Sequence, residues 1–154
     1  MKRPSWDEYF MEIARVVAKR STCLRRNVGA IVVKNKRIIS TGYNGTLSGL
    51  KHCEEVGCLR EKFGIKSAER QELCRGMHAE ANTLLFAASY GVDMHEAAIY
   101  CTHQPCVLCA KMIIQAGIKQ VVFLGEYPDK LARQLFKEAK VKIKRLSKKH
   151  KKGD

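Results

Sequence analysis

The chain of 154 residues is 45% hydrophobic and 29% charged, a balance that suits one globular domain with its own core and excludes a fibrous or low-complexity chain. No apolar run approaches the length of a membrane span, and Met1-Lys2-Arg3-Pro4-Ser5 leads straight into an amphipathic, acidic helix rather than a signal peptide, so a cytoplasmic protein is expected. The formal charge of +14 favours phosphate-bearing partners, nucleotide or nucleic acid, and half of that excess falls in the fifteen residues from Lys140 to Asp154.

Ser5-Trp6-Asp7-Glu8 has the form of a capping box. Trp6, Phe10, Ile13 and Val17 follow at spacings of 4, 3 and 4, the apolar face of a helix that ends near Arg20. Ser21 to Asn27 reads as a loop carrying Cys23, Arg25 and Arg26. Two runs rich in Val and Ile, Gly29 to Lys34 and Arg37 to Tyr43, flank Asn35-Lys36 and predict a hairpin, because Asn tolerates positive φ. Asn44-Gly45 closes the second strand, and Asn44 has two readings there, a turn residue or part of a site. Thr46 to Met77 is polar, charged and too long for an ordinary connection, with a short helix expected near Ser67 to Leu73.

His78 to Tyr90 predicts a helix packed through Ala79, Leu84, Leu85, Ala87 and Ala88, and Ala98 to Thr102 a buried strand. A helix from Cys106 to about Ala116, stopped by Gly117, comes next. Gln120 to Leu124 reads as a strand, Asp129 to Ala139 as a helix with Leu131, Leu135 and Phe136 inward, and Val141 to Leu146 as an edge strand. A hairpin followed by alternating helices and strands predicts a mixed sheet covered by helices. The expected domain covers 1–146, and 147–154, with Lys148-Lys149-His150-Lys151-Lys152, reads as a solvated basic tail.

The chemistry lies in His78-Ala79-Glu80 and Pro105-Cys106-Val107-Leu108-Cys109. One imidazole and two thiolates suit zinc, and a CxxC places both sulfurs on one helical turn. Three protein ligands leave the fourth tetrahedral position open, which marks a catalytic rather than a structural metal. Glu80, two residues from His78, is placed to take a proton from a water molecule that such a metal activates. A CxxC alone would read as a redox pair or half of a structural zinc site, and the accompanying His-x-Glu argues against both.

These motifs, together with Ser5-Trp6-Asp7-Glu8-Tyr9-Phe10, Val28-Gly29-Ala30, Gly42-Tyr43-Asn44-Gly45 and His78-Ala79-Glu80-Ala81-Asn82, make the chain resemble the zinc-dependent cytidine and deoxycytidylate deaminases, on the dCMP deaminase branch. The resemblance covers roughly residues 5 to 125. It implies a three-layer α/β/α sandwich around a mixed sheet of about five strands. The reaction it implies is hydrolytic deamination of dCMP to dUMP and ammonia, supplying thymidylate synthesis, with catalytic zinc on His78, Cys106 and Cys109 and with Glu80 as proton carrier. Asn44 would then contact the sugar, the Ala79 N–H the pyrimidine O2, and backbone near His103 and Gln104 the exocyclic amine. The arginine that holds the 5′-phosphate in some members falls on Ser89 here, and Arg26 is named in its place.

Some relatives carry a second, structural zinc near the long insertion. By that resemblance Cys23, Cys53, Cys58 and Cys74 would form a closed four-thiolate site stapling residues 46–77, and the five-residue step from Cys53 to Cys58 suits a zinc pair. A homo-oligomer, hexamer or smaller, is also implied, while activation by dCTP and inhibition by dTTP stay open. The alternatives are a deaminase of another base (riboflavin precursor, guanine or tRNA) and a nucleic-acid-binding or DNA-uptake accessory protein of the same fold. Nucleic acid is not the expected partner, because no aromatic-basic interleaving suited to single strands is present.

Overall fold

The computed structural model of the protein describes residues 2–127 and 129–147. The capping box forms as expected. Ser5 Oγ accepts from the Glu8 N–H at 3.3 Å and Glu8 Oε2 accepts from the Ser5 N–H at 2.8 Å, opening α1 (Trp6–Ala18). That helix buries Phe10, Met11, Ala14 and Ala18. Trp6 departs from the expected core role. It stacks on Phe10 at the first turn with one face outward, under the Lys36 ammonium, and is 44% exposed.

Strands β1 (Gly29–Lys34) and β2 (Arg37–Tyr43) form the expected hairpin. Asn35 and Lys36 both adopt positive φ, 51° and 58°, the turn that matches the twist of paired strands. The long connection after β2 is closed at its base by a two-stranded ribbon, β3 (Gly45–Thr46) paired with β4 (Gly76–Met77). Between them lie two single-turn helices, α2 (Cys53–Val56) and α3 (Leu59–Lys62), and a 3-10 turn at Gln71–Leu73. The chain then alternates: α4 (Ala79–Ser89), β5 (Ala98–His103), α5 (Val107–Gln115), β6 (Gln120–Gly125), α6 (Lys130–Glu138) and β7 (Lys142–Arg145).

The main sheet runs β2-β1-β5-β6-β7, with β1 antiparallel to β2 and β5, and with β5, β6 and β7 parallel. Parallel neighbours need crossovers, and α5 and α6 supply them. The inner strands are apolar at successive positions because both faces are covered. Ala30, Val32, Ile99, Cys101, Val121 and Phe123 face the layer built from α4, α5 and α6. Ile31, Val33, Tyr100, Val122 and Leu124 face Phe10, Met11 and Ala14 of α1. The result is the three-layer sandwich with a five-stranded mixed sheet. Three expected packing residues, Leu85, Ala88 and Leu131, are exposed instead, because the buried stripes run through Ala81, Leu84 and Ala87 on α4 and through Ala132 and Phe136 on α6. Residues of the basic tail from Lys148 onward lie outside the described residues.

Helix α4 is seated on β2 at close range. Ser40 Oγ donates to the Thr83 carbonyl at 2.7 Å, Thr83 Oγ1 donates to Ser40 Oγ at 3.0 Å, and Asn82 Nδ2 donates to the Tyr43 carbonyl at 2.7 Å. Gly42 permits this approach: a Cβ there would lie 2.5 Å from Thr83 N and 2.7 Å from the Ala79 carbonyl oxygen. Gly42→Ala is therefore expected to lower stability by about 1–3 kcal/mol through overpacking against helix backbone. Urea denaturation checks it, and an unchanged midpoint would contradict this account of how α4 is placed.

Candidate active site

Two helices begin at the same small volume. His78 is the N-cap of α4 and Cys106 the N-cap of α5, both with extended backbone and neither making a side-chain capping bond. Their side chains turn toward each other instead. His78 Nδ1 lies 3.4 Å from Cys106 Sγ and 3.5 Å from Cys109 Sγ. A tetrahedral zinc with its usual bond lengths sets nitrogen–sulfur edges of about 3.5 Å, so the three atoms already stand at ligand spacing. Among the described residues, His78, Cys106 and Cys109 are the one such group whose ligand atoms all lie within 4.8 Å of one another. The donor set, one imidazole and two thiols, fits zinc.

Local electrostatics favour a cation there. The Cys109 thiol hydrogen-bonds to Cys106 and pulls its pKa well down, with His78 adding to the effect. The same bond, together with burial, pushes Cys109 up. The Cys106 contact raises His78. Glu80, in the first turn of α4, is 4% exposed, and burial is the chief reason that its carboxyl titrates above the ordinary range. Its Oε2 lies 3.8 Å from Cys109 Sγ. Cys101, fully buried behind the group, is held as a thiol by desolvation.

A cavity opens over this group, with His78, Ala79, Glu80 and Cys106 in its wall. Asn44, Ala79 and Arg26, named from sequence, all line it. Asn44 is held in the loop by hydrogen bonds and also lines the cavity. Its Oδ1 accepts from Val28 N at 2.8 Å and Ser21 Oγ at 2.6 Å, and its Nδ2 donates to the Arg26 carbonyl at 2.8 Å, so it braces the Ser21–Val28 loop while facing the cavity. His103 and Gln104 stand at the end of β5 beside it.

The sequence did not single out Arg60 or Tyr127, and both line the cavity. Arg60 is 9% exposed and donates from Nη2 to the carbonyls of Lys66 at 2.9 Å and Glu69 at 2.6 Å. Its Nε is buried without a partner, as is Nη1 of neighbouring Arg25, whose Nη2 bonds the Ile65 carbonyl. Among the described residues Arg60 has no acidic partner, whereas Arg25 reaches Glu61 at 3.6 Å. Nothing in a charged, polar insertion distinguishes Arg60 from a solvated arginine before the chain folds around it.

The expected four-thiolate cluster is not assembled. Cys23, Cys53, Cys58 and Cys74 all line the same cavity, yet among the described residues they do not form a group at metal-ligand spacing. They come from four separate segments of its wall. Two have other neighbours: Cys53 Sγ lies 3.8 Å from Thr46 Oγ1, and Cys74 Sγ accepts from the Gly76 N–H at 3.4 Å.

The chain matches the model of the cytidine and deoxycytidylate deaminase zinc-binding region over residues 4–125. It is 42% identical over 147 residues to ComE operon protein 2 of Bacillus subtilis, covering 95% of this chain and 74% of that protein. It is 45% identical over 125 residues to a deoxycytidylate deaminase of Schizosaccharomyces pombe, covering 81% of this chain but only 38% of that longer relative. Among solved structures, dCMP deaminase of the cyanophage S-TIM5 in complex with dCMP and dUMP superposes with a TM-score of 0.78 at 32% identity, covering 95% of this chain and 100% of that one. With the zinc-binding region matched from the first helix through β6, and the His/Cys/Cys group assembled at its centre, the chain belongs to the cytidine and deoxycytidylate deaminase family.

Proposed function

We propose that this chain hydrolyses dCMP to dUMP and ammonia, and so supplies thymidylate synthesis. One observation carries the reading: a buried carboxyl, Glu80, beside a three-ligand metal group, in the wall of a cavity that also presents three arginines. The likeness to a deaminase structure holding dCMP and dUMP supports the substrate.

Zinc held by His78, Cys106 and Cys109 would supply Lewis-acid activation of water at its open position. Glu80 moves the protons. As carboxylate it takes one from the attacking water and passes it to ring N3; it then takes the remaining proton of the added hydroxyl, as the C4 carbonyl forms, and delivers it to the amine as the C4–N bond breaks. Burial raises the carboxyl's affinity for a proton, which suits a group that must both take and give one. The Ala79 N–H, first in α4, has no intrahelical acceptor and is free to donate to the pyrimidine O2. Asn44 faces the sugar. The 5′-phosphate goes to the arginines, with Arg60 added to the Arg26 named from sequence. A buried guanidinium without a counter-ion is costly, and a phosphate completes it.

The identity to ComE operon protein 2 favours a second reading, an accessory protein of the same fold. The retained, buried Glu80 argues for turnover instead. Seven free cysteines suit a reducing, cytoplasmic setting, and among the described residues no helix is long and apolar enough to cross a membrane. A homo-oligomer and a second zinc are part of the proposal. The support for the second zinc is that Cys23, Cys53, Cys58 and Cys74 converge on one cavity beside an insertion poor in apolar residues.

Glu80→Gln keeps the shape but cannot carry protons. Turnover of dCMP, read as ammonia release, should fall by several orders of magnitude, more than the ~10²–10⁴ of simple acid–base catalysis, with zinc retained. Near-normal turnover would sink the mechanism. Arg60→Gln should lower kcat/KM for dCMP roughly 10–100-fold, the worth of a charged hydrogen bond, while sparing deoxycytidine. Equal losses on both substrates would remove Arg60 from the phosphate end. Metal analysis of the purified protein decides the second zinc: two per chain support it, and one rejects it.

A further inference from the structure

Cys106 holds the position where a helix normally takes Ser, Thr, Asp or Asn, whose oxygen caps the first-turn amides. Its sulfur is turned to His78 instead, and it makes no capping bond. Nor does the first turn of α5 contain an acidic residue. Helix α4 has the same N-cap problem at His78 but carries Glu80 in its first turn. Helix α5 is served from outside. Asp129 Oδ2 accepts from the Val107 N–H at 2.7 Å, while Asp129 Oδ1 accepts from the Ala132 N–H at 2.9 Å and caps α6. One carboxylate thus caps two helices.

The same segment grips the residues just before the cysteine. Gln104 Nε2 donates to the Asp129 carbonyl at 3.3 Å, Gln104 Oε1 accepts from Arg133 Nε at 2.7 Å, and the Gln104 N–H donates to the Gly125 carbonyl at 2.8 Å. Gln104 is 4% exposed, and Pro105 is fully buried. Residues 104–107 are therefore tied to residues 125–133 on both sides of Cys106. This matters because Cys106 and Cys109 share one turn only while α5 is helical from its first residue. Fraying at Val107 would spread the two sulfurs.

We propose that Asp129 is a positioning residue for the metal group: it takes the first amide of α5, that of Val107, and so holds the Cys106–Cys109 turn at coordination spacing. The inference rests on the reading of His78, Cys106 and Cys109 as zinc ligands. Partners that orient metal ligands are typically worth about 10–100-fold in metal affinity.

Two substitutions test it by different routes. Asp129→Ala removes both caps. Val107→Pro removes only the donor on α5 and leaves the cap of α6 intact. Proline suits a first helical position, and Cys106 before it is already extended, at φ −73° and ψ 171°. Zinc affinity by chelator competition, the absorption spectrum of the cobalt-substituted protein and the melting of the metal-free chain are measured for each. Both variants should bind zinc about 10–100-fold more weakly and show an altered cobalt spectrum. In the double variant the losses should be less than additive, because both substitutions delete the same bond. Zinc affinity within about twofold of the parent and an unchanged spectrum, in either variant, would overturn the proposal even if melting falls, since a merely structural cap moves only the melting. A parent protein that binds no zinc would refute the metal reading itself, an outcome distinct from variants that match a zinc-binding parent.

Discussion

Helices α4 and α5 start at one point, and each starts with a residue whose side chain is needed elsewhere. The 3.4 and 3.5 Å separations of His78 Nδ1 from the two sulfurs exist only because both helix starts are fixed by their neighbours. For α4 the fixing is steric and polar: Gly42 clears the way to β2, and Ser40, Thr83 and Asn82 pin the contact. For α5 it comes from Asp129 and Gln104 across the helix pair. The sheet underneath, apolar on both faces, keeps these starts in register. Ligand geometry is thus a property of the whole sandwich and not of the two short motifs.

The insertion adds the other half of the site. It contributes little apolar surface, and its order depends on polar contacts. Arg60 gathers the carbonyls of Lys66 and Glu69, Arg25 gathers that of Ile65, and the β3–β4 ribbon closes the base. The consequence is a cavity with positive charge in one part of its wall and a buried acid, Glu80, in another. A nucleotide has the matching polarity, with a neutral base to be deaminated at one end and an anionic phosphate at the other.

Much of this was legible in the sequence, for physical reasons. The hairpin, the capping box and the alternating helices and strands have local signals, and each falls where the spacing puts it. His78, Glu80, Cys106 and Cys109 were legible because their spacing is set by helix starts. Arg60 was not, because its burial is created by carbonyls six and nine residues further on. Strands β3 and β4, two residues each, are too short to carry a period. The role of Asp129 was equally invisible: in sequence it is an ordinary N-cap, and only the packing of α5 on α6 gives its second oxygen a donor. The step from Cys53 to Cys58 suits a zinc pair, and both line the cavity, but among the described residues they belong to no group of three or more at ligand spacing.

The central claim is that one cavity holds a three-ligand metal, a proton-carrying Glu80 and a phosphate-binding arginine end around the same nucleotide. A crystal structure of the zinc-loaded protein with dUMP tests all three together. The account expects zinc on His78, Cys106 and Cys109, the uracil ring against Glu80 and the phosphate on Arg60. Zinc held by another set of residues, or dUMP bound outside this cavity, would contradict it.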